Sequence, residues 1–284
     1  MYPLPFGKRT FIMGILNVTP DSFSGDGLIA RGDVIRAALV QATQFVTAGA
    51  DIIDIGGEST RPGAQPVSAE EELERVLPVI HELRRADLDT ILSVDTYKAS
   101  VAEAAMEAGA DWINDCWALR ADPKMAPTVA RHGVPVILMH NRSKPGTEEL
   151  NERLGGRYVG SQYEDLLVEV KAELMQSVEL AKKAGVAEDR IILDPGIGFG
   201  KTVSQNLELI DRLSEIKTLG YPVLVGPSRK SFIGYTLDLP PNQRLEGTAA
   251  SVAVSVVRGA DIVRVHDVEI MARVAKMTDA ISRH

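Results

Sequence analysis

The sequence predicts an α/β fold, a (β/α)8 TIM barrel made as a single domain over residues 1–284 with the barrel proper at about 10–281. Three observations carry that prediction. Eight short apolar runs alternate with amphipathic stretches along the whole chain. Three of the joins repeat a Gly-Ala-Asp triplet that closes a helix with glycine and enters a strand, which is αβ-loop chemistry. Almost every apolar run then ends in a polar, chemically capable residue, as on the catalytic face of a barrel. An open doubly wound sheet is the alternative, because sequence does not show closure.

The strands are expected at Thr10–Leu16, Asp51–Ile55, Thr90–Val94, Asp111–Ile113, Val134–Met139, Arg190–Leu193, Tyr221–Val225 and Asp261–Val265. Each is near-continuously apolar and rich in Ile and Val, the signature of parallel strands buried on both faces. Helical periodicity covers Val34–Ala48, Ala69–Arg84, Ala99–Ala108, Tyr163–Ala184, Asn206–Leu219 and Arg244–Arg258, and Ser68-Ala-Glu-Glu71 reads as a capping box. The connections 18–33 and 141–162 are long, polar and glycine-bearing, and both follow strands. Most of the second, dense in Lys144, Glu148, Glu149, Glu152 and Arg153, reads as a solvated insertion.

Composition narrows the function classes. The chain has 31 basic against 39 acidic residues, a net charge of -8, so neither nucleic acid nor an anionic membrane is favoured as partner. A small anionic substrate remains compatible, since local charge can oppose the global sign. The single cysteine, Cys116, excludes an intramolecular disulfide and reads as a buried, inert thiol in a reducing compartment. The N-terminus shows no apolar signal core and no run approaches a membrane span, so a cytoplasmic location is expected.

The strand tips converge in a barrel and can be read together. In order they carry Asn17, Gly56-Gly57 with Glu58–Arg61, Asp95, Asn114-Asp115, His140, Asp194, Ser228–Lys230, and Arg264 with His266. Asp95, Asn114 and Asp194 offer acceptors and an amide suited to a flat heterocycle with amino and ring N–H donors. Arg264, His266 and Asn17 suit a phosphate-like anion, with a divalent metal as a bridge. A mutual Arg264–Asp194 salt bridge is the structural alternative, and His140 reads as a satisfied core histidine. Asp194-Pro-Gly-Ile-Gly-Phe-Gly-Lys201 suits close approach of backbone to a ligand, although the same glycines would serve a turn needing positive φ. Zinc-spaced Cys/His ligands and a Gly-x-Ser-x-Gly nucleophile elbow are both missing from the sequence.

Seven blocks on successive tips, namely Asn17–Ser24, Gly56–Gly63, Val94–Thr96, Ile113–Asp115, Asp194–Lys201, Ser228–Gly234 and Arg264–Asp267, resemble dihydropteroate synthase from Phe11 to the chain end. The resemblance implies a homodimeric TIM barrel of folate biosynthesis. It would join 4-aminobenzoate to 6-hydroxymethyl-7,8-dihydropterin diphosphate, giving 7,8-dihydropteroate and diphosphate, with Mg2+ as cofactor. It also implies that Asp95, Asn114, Asp194 and Lys230 bind pterin with Thr60, and that Asn17 holds magnesium. Arg264 and His266 with Asn17 would take the diphosphate. Thr60, Arg61, Pro62, Phe199 and Ser231 would line the 4-aminobenzoate side under loops carrying Asp21–Phe23 and Ser59–Pro62. Asp95, Lys230, Arg264 and His266 would be catalytic.

Two departures stand out. The first loop reads Phe23-Ser-Gly-Asp-Gly27, with its acid one place later than the family often has it, at Asp26. His140-Asn-Arg-Ser143 stands where a methionine-containing stretch is common. Rival readings are a pterin-binding methyltransferase domain and a non-catalytic pterin-binding paralogue. The first would not need the Arg264/His266 pair, and the second would show a lost position. Lys201 is expected to open a helix or lie at the surface, leaving Lys230 as the functional lysine.

Overall fold

The computed structural model describes residues 4–19, 31–59, 64–143 and 148–283. Eight parallel strands form the barrel: β1 (Phe11–Asn17), β2 (Ile52–Gly56), β3 (Ile91–Asp95), β4 (Trp112–Asp115), β5 (Val136–Met139), β8 (Ile191–Asp194), β9 (Leu224–Val225) and β10 (Ile262–Val265). Their order is β8-β5-β4-β3-β2-β1-β10-β9, and a parallel bridge between Leu193 and Val223 joins the two ends. That bridge closes the barrel and removes the open-sheet alternative.

Five of the eight strands end one or two residues later than the apolar runs do, while β5, β9 and β10 end where the runs end. From β1 to β4 hydrogen bonding carries the ladder through the polar tips, with Asn17 opposite Gly56, Gly56 opposite Asp95, and Asp95 opposite Asn114. The residues before each strand act as clasps instead. Asp51, Asp111 and Asp261, the acids of the repeated triplet, accept the backbone N–H of Ile12 (2.9 Å), Leu92 (2.8 Å) and Val223 (2.7 Å) on the neighbouring strand. Each is also held by a cation, from Arg9, Arg84 and Lys217 respectively. The echo in the sequence is therefore a repeated strand-to-strand staple.

Side chains alternate in and out of the barrel wall. Phe11, Met13, Ile52, Ile91, Trp112, Ile137, Ile192, Leu224 and Ile262 form an apolar plug inside, backed by Leu4 and Phe6. Two residues further along the same strands, the inward positions turn polar: Asp54, Ser93, Asn114, Asp194 and Arg264. The outward rows pack on the helices in a second, larger core.

The helices are α1 (Arg31–Thr47), α2 (Ala69–Arg85), α3 (Ala99–Glu107), α4 (Met125–His132), α5 (Leu166–Ala184), α6 (Val203–Asp211), α7 (Leu213–Lys217), α8 (Ser231–Leu237), α9 (Leu245–Val257) and α10 (Val268–Ser282). The single helix expected over Asn206–Leu219 is broken at Arg212, which leaves helical backbone (φ -99°, ψ 20°). The short α4 and α8 and the long α10 lie outside the expected helices. Ser68 caps α2 by accepting Glu71 N–H at 3.1 Å, but Glu71 pairs with Arg75 rather than completing a box. The reciprocal capping box forms instead at Thr202 and Gln205, opening α6.

The 141–162 connection is a correction to the sequence reading. It builds an antiparallel hairpin, β6 (Glu148–Asn151) and β7 (Gly155–Tyr158). Leu154 is buried at its turn, its carbonyl takes 2.6 Å hydrogen bonding from Arg244, and Tyr158 stacks on Phe199. Charged side chains do face solvent, but the backbone is tied to the barrel mouth by specific contacts that a count of charges does not reveal.

Candidate active site

The polar tips converge around one cation. Arg264, from β10, donates Nε to Asp54 Oδ2 and an Nη to Asp95 Oδ2, each at 2.6 Å. Asn114 Nδ2 donates to the same Asp54 Oδ2 at 2.8 Å. Asp54 is fully buried inside β2, with its Oδ1 unpartnered. Arg264 is thus not paired with Asp194; it is the counter-charge of a carboxylate pair. Burial pushes the Asp95 carboxyl up to about 7 against the pull of Arg264, with Asp54 adding to the rise. Asp54 was missed by attending to tips alone. A carboxylate in the middle of Ile52–Ile55, two residues before the Gly56 tip, is the signal that would have found it.

Asp194 is buried at the end of β8 and accepts Gly196 N–H at 2.7 Å through Oδ1. Burial raises its pKa, opposed by Lys230. Lys230 donates to the Ile197 carbonyl and sits 4.5 Å over the Phe199 ring. Burial lowers it to about 8, with Asp194 opposing. Ser231 opens α8 beside it. Across the mouth His266 Nδ1 lies 3.0 Å from Ser228 Oγ, which also accepts the His266 N–H at 3.1 Å. The structure brings Asn17, Asp95, Asn114, Asp194, Phe199, Lys230, Ser231, Arg264 and His266 to the same end of the barrel. Thr60, Arg61, Pro62, Asp21–Phe23 and Asp26 lie outside the described residues.

The glycine-rich turn after Asp194 serves close approach. A Cβ on Gly196 would stand 1.8 Å from the His140 carbonyl oxygen, and one on Gly200 would stand 2.5 Å from the Arg142 carbonyl carbon. Both glycines have positive φ, 70° and 64°. Gly196→Ala should therefore destabilise the protein by about 3 kcal/mol through combined clash and strain. Urea denaturation reads this directly; a loss under about 0.5 kcal/mol would mean the loop gives way freely.

Lys201 overturns its reading as a surface residue. It is buried at 3% exposure, and its Nζ lies 2.9 Å from Gly196 O, 3.0 Å from Phe199 O and 3.0 Å from His140 Nδ1. His140 is a core histidine as expected, but only its Nδ1 side is hydrogen-bonded; its Nε2 lies 3.1 Å from Glu173 without hydrogen-bond geometry. Burial, reinforced by Lys201, lowers His140 to about 4 from 6.5. A base held neutral by the fold contributes stability above its unfolded pKa and loses it as pH falls through the folded value. Unfolding free energy should thus fall by about 3 kcal/mol between pH 6.5 and 4 from this group, at 1.36 kcal/mol per unit. His140→Asn should flatten that limb in chemical denaturation; an unchanged slope would place the acid sensitivity elsewhere.

Known proteins of similar sequence and fold place the chain in a family. Residues 13–266 match the family described as pterin binding enzyme. Dihydropteroate synthase of Bacillus subtilis is 51% identical over 98% of this chain and 90% of its own length. Among solved structures, dihydropteroate synthase from Clostridium difficile, determined in the presence of pteroic acid, superposes with a TM-score of 0.90 at 46% identity. That match covers 99% of this chain and 100% of the other. The Xanthomonas albilineans dihydropteroate synthase with 4-aminobenzoic acid gives a TM-score of 0.86 at 42% identity, covering 96% and 93%. A closed barrel with these residues at one mouth, in a chain so related, belongs to the dihydropteroate synthase family of pterin-binding enzymes.

Proposed function

We propose that the chain condenses 6-hydroxymethyl-7,8-dihydropterin diphosphate with 4-aminobenzoate to give 7,8-dihydropteroate and diphosphate. The observation that carries this is the constellation of Asp95, Asn114, Asp194 and Lys230 at the mouth, in a chain whose relatives were solved with pteroic acid and with 4-aminobenzoic acid. In this reading Asp194 and Asn114 hold the amino and ring N–H edge of the pterin, with a charge-assisted pair at Asp194. Lys230 donates to the ring and backs onto Phe199. Phe199 and Ser231, with Arg61 and Pro62, take the 4-aminobenzoate; Thr60 joins the pterin side.

The bond between the methylene carbon and the diphosphate oxygen breaks, and its electron pair leaves on oxygen. The cation left behind is delocalised into the pterin, where the Asp95 carboxylate stabilises it. The arylamine lone pair then forms the C–N bond, and the surplus proton passes to solvent or diphosphate. His266, positioned by Ser228, and Arg264 face the growing negative charge. A weak amine without an adjacent base fits this dissociative order. Positional isotope exchange in the diphosphate without 4-aminobenzoate supports it, and strictly amine-dependent cleavage sinks it.

Magnesium fits the donors at the mouth. The space beside Gly56, where a Cβ would stand, lies 3.8 Å from Asn17 Oδ1 and 3.7 Å from Asp95 Oδ2. Magnesium commonly takes one or two protein oxygens and completes its shell with water and substrate phosphate. Among the described residues no group of three His, Cys, Asp or Glu side chains is suited to a metal, and Asn17 is the protein ligand the family resemblance implies. When bound, the ion offsets negative charge on the leaving diphosphate.

A steady-state assay with the pterin diphosphate, 4-aminobenzoate and Mg2+ tests the reading. Dihydropteroate should form, and EDTA should abolish turnover until Mg2+ is restored. Pterin binding without product would instead indicate a non-catalytic paralogue.

A homodimer and a cytoplasmic location complete the proposal. Val254 and Val257 on α9 and Ile270, Met277 and Ile281 on the adjoining α10 expose apolar side chains that a second copy would cover. Sedimentation showing a monomer at micromolar concentration would end that part. Among the described residues no helix is long and apolar enough to cross a membrane.

A further inference from the structure

We propose that Lys201 is a positioning residue for the 4-aminobenzoate wall, its buried ammonium fixing where the Phe199 ring stands. The inference rests on the assignment of Phe199 to the second substrate. Two lysines grip one turn. Lys230 holds the Ile197 carbonyl and Lys201 holds the Gly196 and Phe199 carbonyls, so the four residues from Gly196 to Phe199 curl around an internal cation. The third Lys201 contact, to His140 Nδ1, ties this turn to the strand before it in the barrel wall. His140 leads on to Glu173 of α5, and Glu173 is gripped by Arg142, which stacks over Tyr163. Phe199 is also stacked on Tyr158 of the hairpin, at 6.2 Å between ring centroids. The ring therefore stands where three separate segments place it, and Lys201 is the group that anchors its own backbone.

The protonation state of Lys201 matters to this geometry. An ammonium has three donors for three acceptors; a neutral amine has two, so one contact is lost. Burial lowers Lys201 to about 7. The charged groups around it are Asp194 at the end of β8, Glu173 on α5, Arg142 after β5, and Lys230 before α8, while His140 is the neutral acceptor. Asp194 and Glu173 favour the ammonium, and Lys230 and Arg142 oppose it.

The test separates the two substrates. Lys201→Met keeps the length and removes the donors. It should raise the KM for 4-aminobenzoate about tenfold while moving the KM for the pterin diphosphate less than about twofold, all three contacts of the ammonium being lost. Phe199→Ala is measured in parallel. If it raises the 4-aminobenzoate KM and Lys201→Met does not, or if Lys201→Met only lowers the melting temperature, the positioning role is overturned while the wall stands. If Phe199→Ala leaves that KM unchanged, the wall assignment falls and the proposal with it. The pH dependence of the wild-type enzyme supplies a check that does not depend on Lys201→Met folding. The KM for 4-aminobenzoate at saturating pterin diphosphate should rise about threefold as pH passes through 7, and the rise should vanish in Phe199→Ala. A 4-aminobenzoate KM that stays flat from pH 6 to 9 overturns the proposal.

Discussion

Asp194→Asn is expected to weaken binding of the pterin diphosphate by about 100-fold, or about 3 kcal/mol. The substitution is isosteric, and the amide oxygen can keep the 2.7 Å bond from Gly196 N–H, so the turn should hold its shape. What changes is the other arm. A carboxylate oxygen that accepts from an amino or ring N–H becomes an NH2 that meets donor with donor, in a buried site where water cannot intervene. Calorimetry with the pterin diphosphate reads the loss, and the melting temperature should stay within a degree or two. Affinity within about threefold of wild type would remove Asp194 from the recognition set.

Arg264→Met should be the most destabilising change in the mouth, by about 3–5 kcal/mol at pH 8. Arg264 bonds both Asp54 and Asp95, and Asp54 is fully buried. Removing the cation strands two carboxylates in the barrel, and the methionine supplies no donor. Asn114 Nδ2 still donates to Asp54, but neither carboxylate keeps a cation bonded to it. Asp95 is already raised to about 7 with Arg264 present, so its pKa must climb further without it. A carboxyl whose folded pKa lies above its unfolded value favours the fold at low pH and loses that contribution as pH rises. The deficit should therefore shrink towards pH 5 and widen towards pH 8. Arg264→Met combined with Asp54→Asn should recover part of it. Equal stability of wild type and Arg264→Met at pH 8, by urea denaturation, would mean the carboxylates are solvated rather than paired.

These two residues also mark the boundary of what a linear reading conveys. Asp194 is legible because it ends an apolar run and precedes a glycine-rich turn, features that lie within eight residues of each other. The Asp54–Arg264 bond spans 210 positions. Its members look like a charge in a strand and a charge at a tip until closure of the barrel sets them face to face. Lys201 is a sharper case. Lysine before a helix is ordinarily solvated, and nothing local distinguishes this one. Only the fold of the Asp194–Lys201 turn against the His140–Ser143 backbone turns its side chain inward, onto three acceptors. The hairpin after β5 eluded composition for a related reason. Its charges are real and exposed, while Leu154 and Tyr158 make the contacts that hold it.

What the residues determine by themselves is the architecture and the location of the site. Eight apolar runs, their spacing and their polar ends specify a barrel with chemistry at one mouth, because strand and helix periodicity are local properties of the chain. The tertiary structure decides how the charges are divided among partners. Arg264 goes to Asp54 and Asp95, His140 goes to Lys201 and Glu173, and the acids of the Gly-Ala-Asp triplets staple neighbouring strands. Those pairings depend on which tips face each other across a closed ring and on how little water reaches them. Both are set by packing between segments far apart in sequence, so no stretch of the chain read alone contains them.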